Sequence, residues 1–379
     1  MTAKGLRFAH LGDIHLGYGF LYLPREKRLA RQRELTETFL RVMEHVAGEK
    51  VDLVLVAGDL LENNMTDKTL MRVIDDGLAM VRCPVLMVTG NPDPLLPNSP
   101  YLTHSWPDHV LLFKGSDWEV TRLEHLNTTV LGLTYHLPEE NAPRLSSIPT
   151  IKDDTYKIAL VHGSFSEFPQ FKSPYLPITR HEIEELPVDY LALGHYHNFQ
   201  CIHDGRGRLR GCYPGSPEPL DFSETGLHGY VIGEITPEGE TTVRLVPLAR
   251  RAYTRVKVDV SGSETMQEIR DLMQAVMGGE SADTLWWLEL VGKVRDLDLD
   301  HDWLQEELKE RAFFIKLSSN LSPAYDLAEL KSQPGVVSYF ISYMEGLLDE
   351  AETEKEKATI TKALFIGLDA LLKGEVRMR

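Results

Sequence analysis

Leu6-Arg7-Phe8-Ala9-His10-Leu11 runs directly into Gly12-Asp13-Ile14-His15-Leu16-Gly17, and the way this stretch is read governs the rest of the chain. Its first half is short and mostly apolar, as a buried strand is. The glycine after it marks a tight turn that carries an aspartate and a histidine two residues apart. The same arrangement returns along the sequence: Leu53 to Ala57 leads into Gly58-Asp59, Val85 to Thr89 into Gly90-Asn91-Pro92-Asp93, Ile158 to Val161 into His162-Gly163, and Tyr190 to Leu193 into Gly194-His195-Tyr196-His197. Val130 to Leu133 is a further apolar run. Between the first two runs Leu35, Phe39, Val42, Met43 and Val46 recur at three- and four-residue spacing, which predicts an amphipathic helix with Gly48 as its C′ stop. Short apolar runs alternating with helical stretches predict an α/β layered domain.

In α/β domains ligands commonly gather outside the carboxyl ends of the strands, so these turns can converge although they lie far apart in sequence. Any one Gly-Asp or His-Gly is ordinarily just a turn, whereas several of them, each closing an apolar run, form a pattern. Their side chains offer oxygen and imidazole and no thiolate, a donor set suited to Mn, Fe or Zn. Asp59 has two oxygens with which to bridge a pair of ions ~3.5–4 Å apart. The chemistry implied is phosphoester hydrolysis, in which two ions bind phosphoryl oxygens and neutralise the charge that develops. Cys83, Cys201 and Cys212 form no CxxC pair and are odd in number, so neither a disulfide framework nor a structural zinc site is expected.

In order, these turns resemble the pattern of the calcineurin-like metallophosphoesterases: Asp-x-His, Gly-Asp, Gly-Asn-His-Asp/Glu, a His before Gly, and Gly-His-x-His. Phe8 to Gly17, together with Tyr213-Pro214-Gly215-Ser216-Pro217-Glu218-Pro219-Leu220-Asp221-Phe222, is similar to the SbcD-type nuclease subunits of DNA double-strand-break repair. The resemblance covers about residues 6 to 235. It implies a four-layer α/β/β/α domain with two divalent ions, manganese being the expected metal. One ion would sit among Asp13, His15, Asp59 and His197, the other among Asp59, Asn91, His162 and His195. It further implies DNA as substrate, an SbcC-type coiled-coil ATPase gripped by a C-terminal helical segment, and a second copy of the chain as a candidate partner. His10, His181 and His203 find no place in the pattern, and His10 is at most a group behind the ligands.

The sequence departs from that pattern at Gly90-Asn91-Pro92-Asp93. The family's His, which assists the leaving group, is replaced by Pro92, a residue with no side-chain proton to give, so no catalytic acid can be assigned. Glu62 likewise stands where SbcD-type relatives often carry a His. Since general acid assistance contributes about 10²–10⁴-fold, its loss should matter most for a poor leaving group such as a DNA 3′-oxygen. Two alternatives to a DNA nuclease therefore stay open: a phosphodiesterase or phosphatase for small nucleotide or activated substrates, and a weakly active metal-binding scaffold. Exonuclease and endonuclease action are equally compatible with the motifs.

At 379 residues the chain has room for two or three domains, and with 42% apolar and 26% charged residues it has an ordinary globular composition. After residue 195 the texture changes to hairpins, with turns at Asp204-Gly205-Arg206-Gly207 and Pro237-Glu238-Gly239, whose strands are expected to complete a second sheet. A boundary near Arg250-Arg251 divides a metallophosphoesterase domain, 1–250, from a small α+β cap domain, 251–333. The cap should hold a strand over Thr254 to Val260, a helix over Met266 to Met277, a strand over Leu285 to Leu290 and a helix over Trp303 to Arg311. A helical tail, 334–379, carries apolar stripes from Tyr339 to Leu348 and from Ile360 to Leu372, joined by a charged connection from Asp349 to Lys357. No signal-type leader or membrane-spanning run of ~20 apolar residues is present, so a cytoplasmic location without membrane attachment is expected.

The net charge is −17, and all three stretches are acidic, which disfavours tight autonomous binding to a phosphate backbone. Local exceptions are candidate DNA contacts: Arg25, Lys27 and Arg28, with Arg31 and Arg33 behind them, and Arg206, Arg208 and Arg210, which would share one face if their segment is a strand.

Overall fold

In the computed structural model, which describes residues 5–64, 68–137, 144–167, 175–279, 282–294 and 299–374, the apolar runs are strands buried on both faces. The chain divides into two units, Met1–Tyr253 and Thr254–Arg379. The strands of the first unit are β1 (Leu6–Leu11), β2 (Leu53–Ala57), β3 (Val85–Val88), β4 (Val110–Leu112), β5 (Glu119–Leu123), β6 (Thr128–Leu133), β7 (Tyr156–His162), β8 (Ser164–Phe165), β9 (Pro177–Ile178), β10 (Tyr190–Gly194), β11 (Gln200–His203), β12 (Leu209–Tyr213), β13 (Gly229–Ile235) and β14 (Thr241–Pro247). Two six-stranded sheets form, ordered β14-β13-β1-β2-β3-β4 and β11-β12-β10-β7-β6-β5.

The period-two geometry of a strand explains why these runs are continuously apolar rather than alternating. On β7, Ile158 and Leu160 point at the other sheet, where they meet Phe8, Leu55 and Val88. Ala159 and Val161 point the other way, into a layer with Phe165, Ile178 and Ile183. Tyr190 and Ala192 on β10 face inward in the same manner, and Leu191 and Leu193 outward. The helices that matter for this layering are α1 (Arg25–Gly48), α2 (Lys68–Leu78), α3 (Pro100–Thr103) and α4 (Arg180–Glu185). Helix α1 buries the expected stripe of Leu35, Phe39, Val42, Met43 and Val46 and packs with α2. Gly48 is the last residue of α1 rather than its stop, and Lys50, at φ 53°, takes the left-handed turn instead. The result is the expected α/β/β/α arrangement.

Both hairpins form, but they do not complete the same sheet. β11 and β12 extend the second sheet, while β13 pairs antiparallel with β1, Leu6 opposite Ile235, and brings β14 onto the first. The run Gly229–Ile235 is apolar enough for either place, and register with the edge of β1 decides.

In the second unit β15 (Ala252–Asp259), β16 (Thr284–Val294) and β17 (Phe314–Pro323) form a three-stranded sheet whose apolar side packs under α5 (Met266–Met277) and α6 (His301–Leu308). The strand β17 escapes a sequence reading because Ser318, Ser319, Asn320 and Ser322 interrupt its apolar pattern, yet it pairs with β16 in parallel over its whole length. Helices α7 (Leu327–Ser332), α8 (Val336–Glu350) and α9 (Glu354–Lys373) share a separate core of Ile341, Met344, Leu364 and Leu368, joined by Tyr325, Leu327 and Leu330. The charged connection is far shorter than its charge suggested. Asp349 and Glu350 finish α8, Glu354 to Lys357 begin α9, and Thr353 caps α9 in a reciprocal capping box with Glu356. No helix among the described residues is long and apolar enough to cross a membrane.

Candidate metal centre

Each ligand-type residue sits at or just beyond the carboxyl end of a strand, and the parallel order of β1, β2 and β3, and of β7 and β10, brings these ends to one edge. The turns are tight enough to force unusual backbone. Asp13, His15, Asp59 and His195 have φ of 52°, 50°, 52° and 115°, a region that L-residues seldom occupy and that accumulates where structure is held for function. Glycine clears the space beside them: a Cβ on Gly90 would lie 1.8 Å from Asp59 Oδ1, and Gly58, at φ +84°, would press on the His162 ring.

Asp13, His15, Asp59 and His197 present four ligand atoms within 4.8 Å of one another. His15 Nε2 is 3.2 Å from His197 Nε2 and 3.3 Å from Asp59 Oδ2. The other Asp59 oxygen, Oδ1, faces the opposite group, 3.4 Å from His162 Nε2. There Asn91 Oδ1 lies 3.0 Å from His162 Nε2 and 3.2 Å from His195 Nδ1. All seven residues singled out in the sequence are thus together, with the two Asp59 oxygens divided between the groups. Asp13 Oδ2 and Asp59 Oδ1 are buried and accept no hydrogen bond among the described residues. A buried carboxylate oxygen without a partner is costly, and a cation would remove that cost.

The ionisation of the groups follows from burial and their neighbours. Burial pushes Asp13 up despite His197 and His15, and pushes Asp59 up to about 7 despite His15. Burial also lowers His162 well below the ordinary imidazole range and brings His195 to about 3, leaving both rings neutral and able to donate a lone pair. For His15 and His197 burial acts in the same direction, but carboxylates outweigh it and both are raised: Asp59 and Glu62 for His15, Glu224 for His197.

The side chains behind the ligands were mostly invisible in sequence. Glu62 Oε2 is 2.9 Å from His15 Nδ1, so the residue in place of a family His has its own task. Glu224 Oε1, two residues past the quoted Tyr213 to Phe222 motif, is 2.7 Å from His197 Nδ1. Asp93 accepts from the backbone N–H of Gly90 at 2.8 Å and of Leu61 at 3.0 Å, and from the Tyr101 hydroxyl, which pins the Asn91 loop to the segment after Asp59. A carboxylate three or thirty residues from a ligand gives no sequence signal unless its spacing is already known.

A model of the calcineurin-like phosphoesterases matches residues 6–199, about half of the chain and all seven of these residues. The chain belongs to that family. This metallophosphoesterase is 26% identical over 282 residues to an uncharacterized metallophosphoesterase, YhaO, of Bacillus subtilis (strain 168), covering 71% of this chain and 67% of that one. It is 25% identical to the DNA double-strand break repair protein Mre11 of Methanopyrus kandleri, over 94% of this chain and 78% of the relative. Against a subunit of nuclease SbcCD from Escherichia coli (strain K12) the identity is 23%, over 60% of this chain and 64% of that protein. Family and donor set together make the protein a metal-dependent phosphoesterase.

The remaining candidates separate. His10 is fully buried between the sheets, with Nδ1 2.9 Å from the Tyr190 hydroxyl, and its partner is that tyrosine rather than a ligand. His181 and His203 are exposed. Arg25, Lys27 and Arg28 open α1, which follows the turn after β1 and therefore starts at the ligand end of the sheet. Arg31 is no surface cation: it is fully buried, with Nη1 2.7 Å from Glu218 and 2.9 Å from Glu34. Arg206 and Arg208 lie in the turn before β12, not on a strand, so the shared face with Arg210 does not exist. Arg208 pairs with Asp204 at 2.8 Å, and Arg210 Nε donates to Ile183 O at 3.3 Å. Because β12 runs parallel to β10, this turn is at the start of β10 while the ligands follow its end, about 17 Å away at 3.3 Å per residue.

Proposed function

We propose that this protein is a two-metal phosphodiesterase and the nuclease subunit of a DNA double-strand-break repair complex, with cleavage of plain DNA slowed by Pro92. The observation that carries the reading is the division of the two Asp59 oxygens between the His15 group and the His162 group. Asp13, His15, Asp59 and His197 would hold one divalent ion, and Asp59, Asn91, His162 and His195 the other. The orphaned oxygens of Asp13 and Asp59 and the neutral imidazoles of His162 and His195 fit such ions, and of the metals that a mixed oxygen and imidazole set takes, manganese is the one proposed, from the family resemblance. When bound, the pair would supply Lewis-acid stabilisation of a phosphoryl group and an activated water.

The chain's own residues orient this site. Glu62 and Glu224 fix two imidazole rings, and Asp93 fixes Asn91 through the loop backbone. Beside Asn91 the half-buried Pro92 offers no proton for a departing alkoxide. That observation favours a second reading, in which activated or small nucleotide phosphodiesters are the better substrates. Arg25, Lys27 and Arg28, at the ligand end, are the stronger DNA-contact candidates, and Arg206, Arg208 and Arg210, at the far end, the weaker.

Residues 1–250 serve in this reading as the nuclease domain, 251–333 as a cap and 334–379 as the segment that docks on an SbcC-type coiled-coil ATPase in the cytoplasm. Support for docking comes from α8, where Val336, Tyr339 and Tyr343 are 71%, 77% and 59% exposed at one-turn spacing, more apolar surface than a helix packed on its own core leaves open. The test is to assay one manganese-loaded preparation on DNA ends, a cyclic nucleotide and an aryl phosphodiester, with and without the ATPase. Stimulated cleavage of DNA ends supports the nuclease; turnover of the small substrates alone supports the second reading.

A further inference from the structure

The two halves of the metal centre rest on different supports. In the Asp13 half both imidazoles have a carboxylate at the ring nitrogen turned away from the cluster: Glu62 behind His15 at 2.9 Å and Glu224 behind His197 at 2.7 Å. Their other nitrogens, His15 Nε2 and His197 Nε2, face inward and lie 3.2 Å apart. Glu224 is itself fixed by Ser216 Oγ at 2.9 Å and by the Leu220 N–H at 3.0 Å, so the His197 ring has little freedom to turn. In the other half the nitrogen behind His162 meets a neutral backbone carbonyl, Ala57 O, at 3.0 Å, and Asn91 is a neutral ligand. One half thus has two more carboxylates directly behind its imidazoles, while in the other the described groups behind His162 are the Ala57 carbonyl and, farther off at 3.9 Å, an oxygen of Asp13.

A carboxylate that accepts the outer N–H of an imidazole fixes the tautomer, aims the inner lone pair and makes it more basic, and adds negative charge within Coulomb range of the ion. Resting on the two-metal reading above, we propose that the centre fills in order, the Asp13 half first and more tightly, and that Glu62 and Glu224 are positioning residues that set this order. Removing either carboxylate should cost the first ion about 10–100-fold in affinity and the second ion little.

The test is calorimetric titration of the full-length, metal-stripped protein with manganese, paired with electron paramagnetic resonance at each equivalent. The wild type should bind in two steps, giving an isolated-ion spectrum at one equivalent and a coupled-pair spectrum only at two. Glu62→Gln, at a half-exposed position where folding is not at stake, should weaken the first step and bring coupled pairs in below one equivalent, as Glu224→Gln should if it folds. His195→Ala should remove the second step alone. A first step unchanged within twofold in Glu62→Gln overturns the role of that residue, and a wild type whose two sites fill together overturns the order. Binding of one ion or none would instead refute the two-metal reading itself.

Discussion

Replacing Pro92 with histidine should restore cleavage of DNA without changing how the protein holds metal. The loop's geometry does not depend on the proline side chain. Asp93 is fully buried and grips Gly90 N, Leu61 N and the Tyr101 hydroxyl, while Asn91 Oδ1 stays within 3.0 Å of His162 Nε2 and 3.2 Å of His195 Nδ1. Proline has therefore not displaced Asn91, and the slowing of DNA cleavage proposed above would come from the missing proton donor alone. A positioned general acid contributes about 10²–10⁴-fold, or about 2.7–5.4 kcal/mol at 1.36 kcal/mol per decade. A DNA 3′-oxygen needs that help and a phenolate does not, so kcat/KM of Pro92→His should rise by roughly 10²-fold or more on an oligonucleotide and far less on an aryl phosphodiester, at equal manganese content. Parallel gains on both substrates would refute the leaving-group argument and point to phosphate binding or loop geometry. Brisk cleavage of DNA by the unaltered protein would refute the premise that Pro92 impairs it.

Asp59→Ala removes a carboxylate that serves both halves, so metal analysis should find both ions lost; retention of one tight ion would show that Asp59 belongs to a single half. Truncation after Gln333 should leave metal content intact and abolish capture of an SbcC-type ATPase in a pull-down, whereas loss of the folded first unit on truncation would make α8 and α9 part of its stability. His10 is held at about 3 by burial, against 6.5 in an unfolded chain, so between these values the unfolded state binds a proton that the native state does not. Its contribution is complete above about pH 6.5 and is lost as pH falls toward 3, by up to about 1.4 kcal/mol per pH unit. Urea unfolding from pH 7 to 5 should accordingly show a flatter pH dependence in His10→Gln than in the wild type, and equal slopes would show that His10 is not the group responsible.

The sequence alone carried β1, β2, β3, β6, β7 and β10, because each is buried almost throughout and so reads as a largely apolar run, and it singled out the seven candidate metal ligands, because each closes or closely follows such a run. It also located Pro92, since a departure is visible wherever the pattern around it is complete. What it did not carry depended on partners distant in the chain. The hairpin at 229–247, expected in a second sheet, joins the first because β1 offers its edge, and Ser318 to Ser322 carry no strand pattern of their own until β16 supplies the hydrogen bonds that make them a strand. Arg31 looked like a solvated cation on a helix until Glu218, 187 residues later, enclosed it, and Arg206 and Arg208 looked like strand residues near the ligands until the parallel pairing of β12 with β10 put them at the opposite end. Glu62 and Glu224 acquire meaning only from the two rings they touch. Local pattern records what a residue buries against its own strand or helix, whereas charge pairing, sheet membership and distance from the metal centre are set by contacts between segments whose order along the chain says nothing of their separation in space.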